Sequence, residues 1–221
     1  MKTLHALLRR EVAHGWARGG GPLLSIGFFA AVTVMLPLAE GPAPARLAAV
    51  ATGLTWIALT LASLLSLDRL FESDLADGAL DMLAMGPLPF EIIASVKCAA
   101  QWITVGAPLA VAAPVGALAL GAPPDMAPII FVVALIGGVA FAFLGGAGAA
   151  LALASQRGGV LIALIVLPLL TPPVIFGGAA LNNFAAGLPW AGGLTLLCAY
   201  TLATVALTPF AMAGACRNAL A

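Results

Sequence analysis

Between residues 68 and 97 the chain gathers six of its nine acids, Asp68, Glu72, Asp74, Asp77, Asp81 and Glu91, against two bases, Arg69 and Lys97. The segment therefore carries a net charge of minus four. Anionic lipid headgroups would repel it, so it suits a basic protein surface better than a membrane surface. On one continuous helix, Asp74, Asp77 and Asp81 would fall within about 60° of one another, with Phe71, Leu75 and Met82 on a neighbouring apolar face. Acid on one side and apolar surface on the next is the chemistry of docking. A merely solvated loop is the alternative, but it has no use for Phe71 and the apolar face. Gly86-Pro87-Leu88-Pro89 then stops the helix and turns the chain.

Other chemistry-bearing residues are sparse. His5 and His14 are nine residues apart, which places them on opposite sides of a helix and excludes a shared metal site there. Cys98, Cys198 and Cys216 have no CxxC spacing, so neither a disulfide framework nor a zinc site is expected, and packing is their better use. The two lysines, Lys2 and Lys97, follow no P-loop glycines, so any ATP-driven work needs a separate subunit. The usual histidine ligands for haem iron are missing from the apolar stretches; a Met or Cys ligand such as Met35 or Cys98 stays open, with a structural use the better reading of both. No metal and no resident cofactor is expected in this chain.

The elements that must carry the acidic segment follow from composition. Of 221 residues 62% are apolar and only 8% charged, with zero net charge and a mean hydropathy of +1.12. That excludes a soluble globule, and the absent net charge excludes attraction to nucleic acid. Charged residues bracket six candidate spans of about 20 residues, at 22–38, 47–67, 98–120, 128–155, 159–180 and 189–212. No acid, Lys, Arg or His lies inside any of the six, which disfavours an ion-coupled carrier. Placing the N-terminus in the cytoplasm puts Lys2, Arg9, Arg10, Arg18, Arg69, Lys97, Arg157 and Arg217 inside and only Arg46 outside. Both termini are then cytoplasmic.

Residues 1–18 carry Leu4, Leu7, Leu8, Val12 and Trp16 on one helical stripe, away from Lys2, His5, Arg9 and Arg10, as an interfacial helix would. The fourth span has an unbroken small-residue row, Ala134, Gly138, Ala142, Gly146, Ala150 and Ala154, suited to close helix packing. Pro108, Pro168, Pro172 and Pro173 are expected to kink the third and fifth spans. The expectation is an all-α polytopic membrane protein in one domain, 1–221. Within it lie an interfacial helix (1–18), spans one and two (22–67), a cytoplasmic loop (68–97) and spans three to six (98–212).

The run Leu67-Asp68-Arg69-Leu70-Phe71-Glu72-Ser73-Asp74-Leu75-Ala76-Asp77-Gly78-Ala79-Leu80, followed by Pro87-Leu88-Pro89, resembles the signature loop of the CcmB family. Those proteins are the haem exporter B membrane subunits of cytochrome c maturation. The wider ABC-2 permease group has a similar acid-x-Gly-x-Leu pattern followed by a Pro and a Lys, matched by Asp77, Gly78, Leu80, Pro87 and Lys97. Further matches to CcmB are Gly106-Ala107-Pro108-Leu109, Arg157-Gly158-Gly159-Val160-Leu161, Leu167-Pro168-Leu169 and Leu207-Thr208-Pro209-Phe210-Ala211. Two positions depart: Ala79 stands where a Ser or Thr is usual, and Gln101 where the family often has His.

The resemblance implies an ABC-2 type permease in a bacterial inner membrane, with no catalytic residue of its own. A CcmA-like ATPase would bind the ATP, CcmC-like and CcmD-like membrane subunits would join it, and a periplasmic CcmE-like chaperone would take the haem cargo. Energy would drive either haem export or release of the loaded chaperone. Loop residues Asp68, Arg69, Phe71, Glu72, Asp74, Leu75, Asp77, Gly78 and Leu80 would dock the ATPase, and Gly138, Ala142, Gly146 and Ala150 would pack span four. A permease for another lipid, glycan or drug, and a scaffold that moves nothing, stay open, as does a second copy of the chain.

Overall fold

The computed structural model describes residues 2–17, 21–41, 44–67, 69–153 and 158–220. Among the described residues every regular element is helical: α1 (Lys2–Ala17), α2 (Gly21–Glu40), α3 (Pro44–Leu64), α4 (Arg69–Ala76), α5 (Ala79–Ala84), α6 (Phe90–Gln101), α7 (Ala107–Ala119), α8 (Ala127–Leu153), α9 (Gly158–Ala185) and α10 (Ala191–Ala219). A π-turn, Trp102–Gly106, joins α6 to α7, and a short 3-10 turn, Pro124–Met126, leads into α8. The chain is an all-α polytopic membrane protein. Five stretches among the described residues are long and apolar enough to cross a bilayer: Pro22–Ala39, Pro44–Leu64, Phe90–Ala119, Pro124–Leu153 and Ala191–Ala219.

The 28 residues of α9 pack beside α8 and α10 and reach the 3-10 turn at Pro124–Met126. Pro173 has no N–H to give the Leu169 carbonyl, and the Tyr200 hydroxyl donates to that oxygen at 2.9 Å instead. The bundle closes around Trp56 on α3. A Cβ added at Gly137 or Gly177 would lie 2.4 Å from the indole, so α8 and α9 meet the ring only because those positions are bare. The indole N–H donates to the Val174 carbonyl at 3.0 Å, and the ring packs 5.4 Å from that of Phe141.

In one respect the helices depart from the pattern of charges along the chain. The third long helix opens at Phe90, eight residues before Cys98, where the charge pattern would have started the span, so Glu91 and Lys97 lie within it. The expectation that every span is free of ionisable side chains is therefore corrected. Lys97 can sit inside the helix because other elements bring carboxylates to it.

The π-turn has a local cause. Pro108 cannot donate, Ala107 N–H reaches back five residues to the Trp102 carbonyl, and a Cβ at Gly106 would stand 2.7 Å from the Trp102 ring.

Candidate functional site

The acidic segment does not form one helix. α4 ends where Asp77 N–H bonds the Ser73 carbonyl and Gly78 N–H that of Leu75, and Gly78 adopts φ +70°, a left-handed conformation that a Cβ would disfavour. The chain then restarts as α5. The expected row of Asp74, Asp77 and Asp81 is split by this turn. Asp74 faces inward at 3% exposure, whereas Asp77 and Asp81 are exposed with Glu72.

Phe71 is likewise not at the surface. Its ring is fully buried, together with Leu80, in a cluster made by Phe90, Ala94, Cys98, Phe143, Met212 and Cys216, against which Leu75 is half-buried. These two side chains plug α4 and α5 into the ends of α6, α8 and α10, so Phe71 contributes to the core of the chain instead of presenting a free anchor. The most exposed large apolar side chains of the segment are Met82, 73% exposed, and Met85, 81% exposed. The small-residue row makes room for this arrangement. Gly138, Ala142, Gly146 and Ala150 are all buried, and a Cβ at Gly146 would meet the Cys98 sulfur at 2.6 Å and a Leu70 methyl at 3.3 Å. Ala154, Asp68 and the side chain of Arg69 lie outside the described residues.

Beneath the exposed acids lies a buried charge cluster. Lys97 is 1% exposed. Its ammonium forms a salt bridge with Asp74, lies 2.9 Å from Glu11 of α1, bonds the Leu70 carbonyl at 3.4 Å and stands 5.8 Å from the centre of the Phe71 ring. Arg10 approaches Asp74 at 3.5 Å and Glu11 at 3.6 Å. Two cations and two carboxylates thus balance within one cluster drawn from three elements, which is the condition for holding charge away from water. On the far side of α6, Glu91 pairs with Arg217 of α10 at 2.8 Å, so the ends of the chain and the acidic segment share one face of the molecule.

The stripe expected to lie on the membrane is divided between protein and surroundings. Leu7 is buried against Ile93 and Val96 with Leu8 beside it, while Leu4 and Trp16 remain exposed. Gly15 lets the end of α1 approach the π-turn, since a Cβ there would stand 3.0 Å from a Thr104 methyl. Between α1, α4 and the π-turn lies a cavity of about 430 Å³, whose wall includes Glu11, His14, Asp74, Lys97, Gln101 and Thr104. Gln101 donates to Ser66 Oγ at 2.5 Å on that wall.

In the sequence Arg10 stands out only as a basic charge on the polar side of residues 1–18, and Glu11 is not singled out. The signal that could have found them is an acid within a basic leader, Glu11, and a lysine inside an apolar run, Lys97, two charges that each need a partner.

Comparison with known proteins matches residues 2–219 to the family described as CcmB protein. Heme exporter protein B of Paracoccus denitrificans is 42% identical over 214 residues, covering 97% of this chain and 98% of the relative. Heme exporter protein B of Bradyrhizobium diazoefficiens is 39% identical over 221 residues, covering both chains in full. That of Escherichia coli K12 is 40% identical over 190 residues, 86% of each chain. With likeness of this extent from the first helix to the last, and with the loop that suggested it seated at one face of the helix bundle, the chain belongs to the CcmB family.

Proposed function

We propose that the chain is the membrane subunit of an ATP-driven complex of cytochrome c maturation, with haem as cargo and ATP bound by a separate CcmA-like subunit. The observation that carries this reading is the knob formed by α4 and α5. Glu72, Asp77 and Asp81 are exposed on it along with Met82 and Met85, while Phe71 and Leu80 root it in the bundle. Flexible methionines presented together with exposed acids suit a basic cleft lined with apolar surface. Rooting matters as much as exposure, because a rigid knob passes on a push that a loose loop would absorb. Haem comes into the reading through the name that the relatives carry. CcmC-like, CcmD-like and CcmE-like proteins are the further partners, and the work done is haem export or release of the loaded chaperone.

In the bilayer, α9 joins the five apolar stretches as a sixth crossing, since 28 helical residues extend about 42 Å. The face holding α1, the knob and Arg217 is cytoplasmic. Reporters fused after residues 125 and 185 should then read outside and those after residue 85 inside, and a cytoplasmic signal at 125 would overturn this topology.

Docking is tested by copurifying the ATPase with the full chain. Met82→Ala with Met85→Ala should weaken its retention by about 2 kcal/mol, close to thirtyfold in affinity, at any ionic strength. Asp77→Lys with Asp81→Lys should weaken it most at low salt, where screening is least. Full retention in the double methionine variant would show that the knob is not the docking element.

A further inference from the structure

Three observations meet along α1. Its middle is bonded to Lys97 through Glu11, with Arg10 on Asp74. Its first half packs Leu7 and Leu8 on Ile93 and Val96, in a cluster that also holds Leu83 of α5 and Leu88 of the proline turn. Its last turn presses Gly15 on Thr104, inside the π-turn where the third long helix departs from α-helical hydrogen bonding. Thus α1 bridges the knob to the one irregular point between α6 and α7. The cavity of about 430 Å³ beside it leaves α4 room to shift relative to the π-turn without expelling packed side chains.

Resting on the reading above, we infer that α1 is a working link of the transmission: Glu11 and Lys97 form the joint by which movement of the docked knob is passed to the π-turn of the third long helix. The physical reason lies in where the joint is anchored. Lys97 is held at once by Asp74 of α4 and Glu11 of α1, so neither helix can move far without drawing α6 or dragging the other. A π-turn lacks the unbroken ladder that makes an α-helix stiff, and such turns recur where helices do functional work. Displacement at Lys97, five residues before Trp102, is therefore taken up at 102–106 and changes the direction of α7. Glu11 takes no part in docking, because it faces α6 and the exposed methionines lie on α5. Docking and transmission accordingly separate by residue.

The experiment uses the full chain in its native complex, with the ATPase and the other maturation partners present. Glu11→Ala keeps a strong helix former in α1 while cutting the joint. Gly15→Val wedges α1 away from Thr104 and tests the other contact. In both variants the ATPase should copurify in the same ratio to the recovered chain as without the substitution and should still hydrolyse ATP, while holocytochrome c formed per ATP hydrolysed falls about two- to thirtyfold, the range seen for residues that carry coupling. That ratio is the readout a merely structural role would not move, since loss of folded protein lowers both quantities together. An unchanged ratio in both variants overturns the inference. So does loss of the ATPase from the Glu11→Ala complex, which would make α1 part of the docking surface. An unaltered chain that retains no ATPase at all removes the underlying functional reading instead, so the two failures are distinguishable.

Discussion

Replacing Lys97 with methionine is expected to destabilise the chain by about 3–5 kcal/mol, because it leaves Asp74 and Glu11 as carboxylates facing a site from which their main cation has gone. Methionine nearly preserves the length and volume of the lysine stem, so the loss reports charge and not packing. Arg10 moderates the effect only in part, since its nearest approaches to the two carboxylates are 3.5 and 3.6 Å. Combining Lys97→Met with Asp74→Asn removes one cation and one anion together and leaves Glu11 to Arg10, and the pair should cost less than half as much as the single change. Thermal unfolding in detergent, with the amount of chain in the membrane, measures both. A double variant no more stable than the single one would show that the cluster is not held by charge balance.

Phe71→Ala should also cost about 3–5 kcal/mol, for a different reason. The ring fills the junction of α4 with α6, α8 and α10, and its removal leaves a cavity walled by helices that are fixed elsewhere. The ATPase would then be lost together with the fold of the knob. Met82→Ala, at a side chain 73% exposed, should change stability by no more than about 0.5 kcal/mol while still weakening the ATPase. The two variants thus separate what roots the knob from what it presents, and unfolding midpoints compared with ATPase retention distinguish them. An unfolding midpoint for Phe71→Ala equal to that of the unaltered chain would contradict the burial of the ring.

The contrast explains why the surface of the acidic segment is only half legible in the sequence. Phe71, Leu75 and Met82 share one apolar face only on an unbroken helix. Gly78 breaks that helix, and once the chain turns there, Phe71 points into the bundle while Met82 points out. The acids divide at the same place, Asp74 to the interior and Asp77 and Asp81 to the surface. Docking in the reading proposed above therefore moves from Phe71 to Met82 and Met85. Within a single helix, periodicity fixes which side chains share a face, but it says nothing of which face a neighbour covers.

Composition and charge spacing by themselves determined that this protein is a bundle of long apolar helices and where most of them lie, because a bilayer imposes length and apolarity on any segment that crosses it. The loop's residue pattern carried the resemblance to the CcmB family in the same direct way. Tertiary structure alone decided that Lys97 belongs inside a helix, that Arg10 and Glu11 reach it, and that α1 rests on protein through Leu7 and Leu8. The physical reason is that an isolated charge marks a boundary with water only while it has no partner. Its partners here come from 23 and 86 residues away in the chain, a pairing that is set by how the helices pack and not by any local pattern.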